Sequence, residues 1–248
     1  MKMQHVYEQA DFIIFQSKFC ELSAHHFFGV TSIPSQIIFN PVDTTLYQPH
    51  KNHFGRKGPT LLLGGNQYEE YRFKCAVQVL QQTLIHLPDT RLIVTGKLWE
   101  DAEQNSMEVA QKYLHEYGVA EKVEFTGPYP QDYAKQIFQR ADILIHTKYN
   151  DPSPNLIPEA LASGLPVVYS ASGGIHEMVG SEAGVGIDVE QSWDKISVPD
   201  PIQMGNAVLN VWENIVVFSD AARQRATDHF PLENFIRDHQ EIFSRLIS

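Results

Sequence analysis

Short apolar runs alternate with amphipathic stretches along most of the chain. The runs at 11–15 (DFIIF), 36–39 (QIIF), 60–64 (TLLLG), 91–96 (RLIVTG), 123–127 (VEFTG), 142–146 (DILIH) and 167–169 (VVY) are too short for helices and read as buried strands. Between them the apolar positions return every three or four residues. Residues 72–86 carry Val77, Leu80 and Leu84 on one stripe that Leu87 extends, and 18–28, 101–117 and 130–140 read as helices in the same way. Ser17 is placed to cap the helix at 18–28 and Gly29 to end it. Further helices are expected at 202–218, 220–230 and 232–247 after an irregular stretch that follows Asp188. Strands alternating with helices at this spacing predict an α/β fold: a doubly wound parallel sheet of Rossmann-like form with right-handed crossovers.

The composition turns polar at 47–58 (Gln48, Lys51, Asn52, Arg56, Lys57), which reads as a linker between 1–46 and the sheet-bearing 59–230, with the last helix in 231–248. Acidic residues outnumber basic ones by 30 to 19 for a formal charge of -11, which argues against nucleic acid or an anionic membrane as the main partner. An anionic ligand would then need locally placed cations or amides. Cys20 and Cys75 lack the spacing of a thiolate metal site or a disulfide framework. Without a cysteine framework a reducing cytoplasm is the expected setting, with or without peripheral membrane association, and no run reaches the ~18 apolar residues of a membrane span.

The densest chemistry lies between Ala141 and Gly186. There the strand at 142–146 feeds a proline-broken loop holding Asp151 and then a short helix carrying Glu159. Gly164 and Pro166 stop that helix before the next strand. In an open parallel sheet the ligand crevice lies outside the carboxyl ends of the strands, which places a ligand at the 148–155 loop. Asn155 is a candidate N-cap. The amides of Leu156 and Ile157 would face outward at the helix's positive end, where a phosphate is favoured.

Asp151, seven intervening residues, Glu159, Ala160, the small Ala162 and Ser163, and the GLPVV at 164–168 together resemble the donor-site signature of the large group 1 (family 4 type) retaining GT-B glycosyltransferases. Ser172-Gly173-Gly174 and Glu177 continue the resemblance, and Ala10-Asp11, Ser17 and Asn40-Pro41-Val42-Asp43 resemble the family's hand-over between two domains. It implies that 1–46 is a remnant of the acceptor-side domain, that 59–230 binds a nucleotide sugar, expected to be UDP- or GDP-linked, and that the final helix is a crossover helix. A retaining transfer is implied, with Glu159 accepting from the ribose hydroxyls and Asp151 touching the donor sugar. The family usually has glutamate at the latter position, and aspartate is shorter by one methylene, about 1.5 Å of reach.

Each candidate has a plainer reading. Glu159 suits a helix N-terminus through the macrodipole alone, and an aspartate before proline is a common turn residue. Arg72 and Lys74 follow Gly64-Gly65 at a strand-to-helix turn facing the expected diphosphate, yet cations at a helix start are ordinary. Gly65 and Gly127 end strands beside the expected crevice. Tyr129 either stacks on the base or covers the core, and Gly173 and Gly174 serve either a tight turn or a close backbone approach. A glycosidase pair is disfavoured, because eight residues of helix would hold Asp151 and Glu159 ~12 Å apart. No metal motif is present, so neither cofactor nor metal is expected, the nucleotide sugar being substrate. The acceptor, a glycan, lipid or small molecule, is not encoded legibly. The alternatives are a non-catalytic nucleotide-sugar-binding module and an epimerase-like protein. The short first segment predicts self-association or a partner chain supplying an acceptor domain.

Overall fold

The computed structural model describes residues 2–49 and 56–247. The larger unit begins with β3 (Thr60–Leu63), α3 (Glu70–Leu84), β4 (Arg91–Thr95), α4 (Ser106–Glu116), β5 (Val123–Gly127) and α5 (Gln131–Arg140). It continues through β6 (Ile143–His146), α6 (Leu156–Ala162), β7 (Val167–Ser170), α7 (Ile175–Val179) and β8 (Gly184–Ile187) to α8 (Pro201–Glu213), α9 (Ile215–His229) and α10 (Leu232–Leu246). Before it come α1 (Lys2–Glu8), β1 (Ile13–Phe15), α2 (Lys18–Phe28) and β2 (Ser35–Ile37).

Six strands form one parallel sheet in the order β5-β4-β3-β6-β7-β8. The inner strands β3, β6 and β7 are largely apolar because both faces are covered. Leu62, Leu144, Val167 and Tyr169 point into one core layer, and Leu61, Leu63, Ile143, Ile145 and Val168 into the other. Helix α3 packs on α8, and α6 on α9. The chain runs outward from β3 to β5, returns beside β3 as β6, and then runs outward the other way. The switch point therefore lies between the carboxyl ends of β3 and β6, where such sheets bind ligands.

Strand β8 was not anticipated, because its two glycines weaken the apolar pattern. Gly184 is required by contact, since a Cβ there would lie 2.1 Å from the Val167 carbonyl oxygen. The break between the expected helices at 202–218 and 220–230 falls earlier, at Asn214, whose side chain bonds the Asn210 carbonyl oxygen at 3.0 Å and competes with the helical ladder. Helix α4 starts at Ser106 rather than 101, where Asn105 accepts from the Met107 N–H.

β1 and β2 form a separate two-stranded parallel sheet. The 39–49 segment that follows is built into the larger unit. Val42 N–H donates to the Phe230 carbonyl at 2.8 Å, and Val42 and Tyr47 are buried in its core. The Arg223 guanidinium of α9 ties this segment down by donating to the Thr44 and Tyr47 carbonyls. Of the expected linker at 47–58, residues 50–55 lie outside the described residues. Arg56, beyond them, pairs with Asp142 at 2.8 Å. Among the described residues no helix is long and apolar enough to cross a membrane.

Candidate functional site

Two glycine turns shape the site. Gly64 faces the Leu156 side chain so closely that a Cβ would lie 2.8 Å from its methyl carbons. Gly65 adopts φ 76°, with its N–H donating to Thr95 Oγ1 at 2.9 Å. Gly96 after β4 also has positive φ, and a Cβ there would meet the Gly65 carbonyl oxygen at 2.4 Å. These bends bring the loops after β3, β4 and β5 together around a cleft of about 360 Å³ lined by Gly65, Asn66, Lys97, Tyr129, Gln131 and Glu159, among others. A larger hollow of about 640 Å³ opens beside Thr60, Arg91 and Val123, the first residues of their strands, and so at the wrong end of a parallel sheet for its ligand.

Glu159 is half-buried in α6. Burial pushes its carboxyl up from the ordinary value, and the Tyr47 phenol pulls it part of the way back. Tyr47 Oη is itself buried without a hydrogen bond of good geometry, but stands near enough to Glu159 for each to perturb the other. Tyr129 packs against the core and also forms a wall of the cleft. Gly127 ends β5 at φ 67° and accepts from the Gly96 N–H at 2.9 Å.

Asp151 does not line that cleft. It is buried on the next loop, where His146 Nε2 at 3.2 Å and Lys148 Nζ at 3.4 Å both approach its Oδ2. Oδ1 has no partner among the described residues. Burial alone would raise this carboxyl, but His146 and Lys148 outweigh it and the net direction is down. His146 is fully buried, and that burial lowers its own pKa, so the ring is neutral near pH 7. Arg72 joins the two parts. Its buried guanidinium donates to the Asn66 carbonyl oxygen at 2.7 Å, in the wall of the cleft, and its charge is felt at Asp151, while its Nε has no partner.

Several expectations need correction. Asn155 is the first residue flanking α6 but does not cap it with its side chain. Its Oδ1 accepts instead from Asn40 Nδ2 at 2.7 Å, and Asn40 in turn accepts from Gln16. The Ile157 amide is not free, since it donates to the Pro154 carbonyl at 3.1 Å, which leaves Leu156 as the open amide at that end. Lys74 is turned away from Asp151, its Nζ lying 4.9 Å from the centroid of the Tyr113 ring on α4. Gly173 and Gly174 serve a close approach, but to the protein's own loop: a Cβ would lie 2.3 Å from the Asp151 carbonyl oxygen at Gly173 and 2.2 Å from that of Pro152 at Gly174. Gly174 N–H also donates to the Asp151 carbonyl at 2.9 Å.

Neither His146 nor Lys148 stood out in the sequence, although a histidine closing an apolar strand at its carboxyl end was a usable signal. The first segment is pinned to the same loop. Ser17 Oγ donates to the Pro152 carbonyl at 2.7 Å, and the Glu177 carboxylate accepts from the amides of Lys18 and Phe19 at 2.6 and 2.9 Å. Trp193 stacks on Phe19 and on His26, at 5.2 and 4.9 Å between ring centres, and so ties the strap after β8 to α2.

The family described as glycosyl transferases group 1 matches residues 48–197, more than half of the chain. An uncharacterized glycosyltransferase of Methanocaldococcus jannaschii is 26% identical over 175 residues, which cover 70% of this chain and 40% of the relative. Sucrose-phosphate synthase from Thermosynechococcus elongatus superposes with a TM-score of 0.74 at 18% identity, over 99% of this chain and 60% of that one. The HepE protein of Anabaena in complex with UDP-glucose gives 0.72 at 18% identity, over 97% and 66%. Both structures share the fold. The chain spans 40% of the length of the M. jannaschii relative.

Proposed function

The chain belongs to the group 1 glycosyl transferase family, and from that premise we propose that it is the donor-binding half of a retaining glycosyltransferase. In this reading the nucleoside of a UDP- or GDP-linked sugar occupies the cleft beside Tyr129. Glu159 accepts hydrogen bonds from the two ribose hydroxyls, and a carboxylate with two free oxygens suits that task. The diphosphate lies toward Arg72 and the Leu156 amide, and the sugar reaches Asp151. The observation that carries the reading is the position of Glu159, facing a cleft at the carboxyl ends of β3, β4 and β5 rather than the interior.

The chemistry needs no protein nucleophile. The bond between the anomeric carbon and the diphosphate oxygen breaks, and the acceptor oxygen bonds to the same face of the sugar. The acceptor proton passes to the leaving phosphate oxygen. Arg72 supplies fixed positive charge where negative charge grows on the leaving group, and the free Oδ1 of Asp151 orients the sugar. A second reading, a binding module without turnover, draws on Asp151, which does not line the cleft holding Glu159 and whose Oδ2 is already approached by His146 and Lys148.

Incubation with UDP-glucose and GDP-mannose, with and without glycan and lipid acceptors, separates the two. Released nucleoside diphosphate supports transfer, whereas binding without release supports the module. Failure to bind either nucleotide sugar overturns both.

A further inference from the structure

His146 closes a strand whose other residues, Ile143, Leu144 and Ile145, are apolar and buried. It is 2% exposed, so an aliphatic side chain there would join the same core. The ring instead leaves Nδ1 buried with no hydrogen-bond partner among the described residues, while Nε2 stands 3.2 Å from Asp151 Oδ2. A buried acceptor without a donor is a cost to the fold. A purely structural role would be filled better by leucine, so the residue's use is to be sought at its Nε2 end.

Resting on the donor-site reading above, we propose that His146 is a positioning residue: its Nε2–H, with Lys148, fixes Oδ2 of Asp151 so that Oδ1 alone is presented to the donor sugar's hydroxyl. Aspartate has one methylene fewer than glutamate and cannot reach by flexing. A carboxylate tied at one oxygen from the strand behind it is instead held at a set depth and orientation. The carboxylate fixes the tautomer, since Oδ2 can only accept, which puts the proton of a neutral ring on Nε2 and leaves Nδ1 an acceptor. The charged and titratable groups facing this carboxylate are His146 from β6, Lys148 from the loop and Arg72 from α3. All three favour its ionised form. The backbone of the same loop is held independently, by the Gly174 N–H, which donates to the Asp151 carbonyl, and by Tyr149 Oη, whose one proton lies within reach of the strap carbonyls of Glu190 and Ser192. Loss of the imidazole should therefore change the carboxylate more than the loop.

The test compares wild type with His146→Phe, which fills the space without a donor, and with His146→Gln, whose amide nitrogen places a neutral N–H near the position of Nε2. The Asp151 carboxyl is titrated by carbon-detected NMR. Affinities for UDP-glucose against UDP, and GDP-mannose against GDP, are measured by calorimetry. In His146→Phe the Asp151 pKa is expected to rise by about one unit or more, because a hydrogen bond to the charged form is lost and the burial remains. The extra affinity contributed by the sugar should fall about tenfold in the same variant, while the affinity for the bare diphosphate holds. His146→Gln should recover both. An Asp151 titration unmoved by His146→Phe overturns the proposal, as does a fall of equal size for nucleotide and nucleotide sugar. Wild type that binds no nucleotide overturns the donor-site reading instead, and the titration still decides whether His146 sets Asp151.

Discussion

Replacing Glu159 by alanine removes the only carboxylate among the described residues that line the cleft beside Tyr129. A hydrogen bond to a charged group is worth about 1.5–3 kcal/mol, so two ribose hydroxyls on one carboxylate contribute at least about 3 kcal/mol at the lower bound. Each 1.36 kcal/mol is tenfold, so the dissociation constant for UDP or UDP-glucose should rise by about 100-fold or more. Calorimetry at millimolar nucleotide reads this directly, and Glu159→Gln controls for volume and for the environment of Tyr47. The pH dependence adds a second signature. Burial raises the Glu159 carboxyl, and the ionised form is the better acceptor, so wild-type affinity falls as pH drops through that raised pKa, whereas Glu159→Gln is flat. The folded protein shows the opposite sign. A raised carboxyl contributes stability that is present below the unfolded value and lost as pH climbs through the folded one. An affinity for UDP within threefold of wild type in Glu159→Ala would refute the ribose assignment.

Other outcomes follow from the same geometry. Gly173→Ala places a methyl 2.3 Å from the Asp151 carbonyl oxygen at φ 73°, and should cost at least about 2 kcal/mol in urea unfolding together with sugar-dependent affinity. Lys74→Met should leave nucleotide affinity within about twofold, because its ammonium sits over Tyr113, whereas Arg72→Met should weaken UDP far more than uridine. His146 has a lowered pKa in the fold, so its contribution to stability is fully present above the unfolded value near ~6.5 and is lost as pH falls through the folded value. Denaturant midpoints measured between pH 7 and 5 should decline in wild type, and less so in His146→Gln. Light scattering should detect self-association, because Ile236, Phe243 and Leu246 of α10 and Met3 and Val6 of α1 are exposed. A strictly monomeric protein would leave those faces unexplained.

Much of the fold was legible because it rests on local patterns. β3, β6 and β7 are continuous apolar runs, and only a strand covered on both faces can use them that way. β8 was hidden because Gly184 is dictated by contact with β7 and not by propensity. The short motif placed Glu159 at the cleft, but it did not show that Asp151 is buried on a separate loop, and side-chain partners from distant elements were illegible. His146 and Lys148 are local to Asp151, and were missed because a histidine ending an apolar run and a loop lysine carry no motif of their own. Asn40 takes the Asn155 side chain that its local sequence assigns to a helix cap, and Tyr113 takes the Lys74 ammonium. Side-chain partners chosen from another helix or segment leave no trace in the spacing of one stretch.

The most direct measurement is a crystal structure of the chain with UDP-glucose bound. Both ribose hydroxyls should lie on the Glu159 carboxylate, the diphosphate against Arg72, and a glucose hydroxyl on Asp151 Oδ1. Nucleotide seated in the hollow beside Arg91 and Lys122, or a ribose turned away from Glu159, would contradict this arrangement.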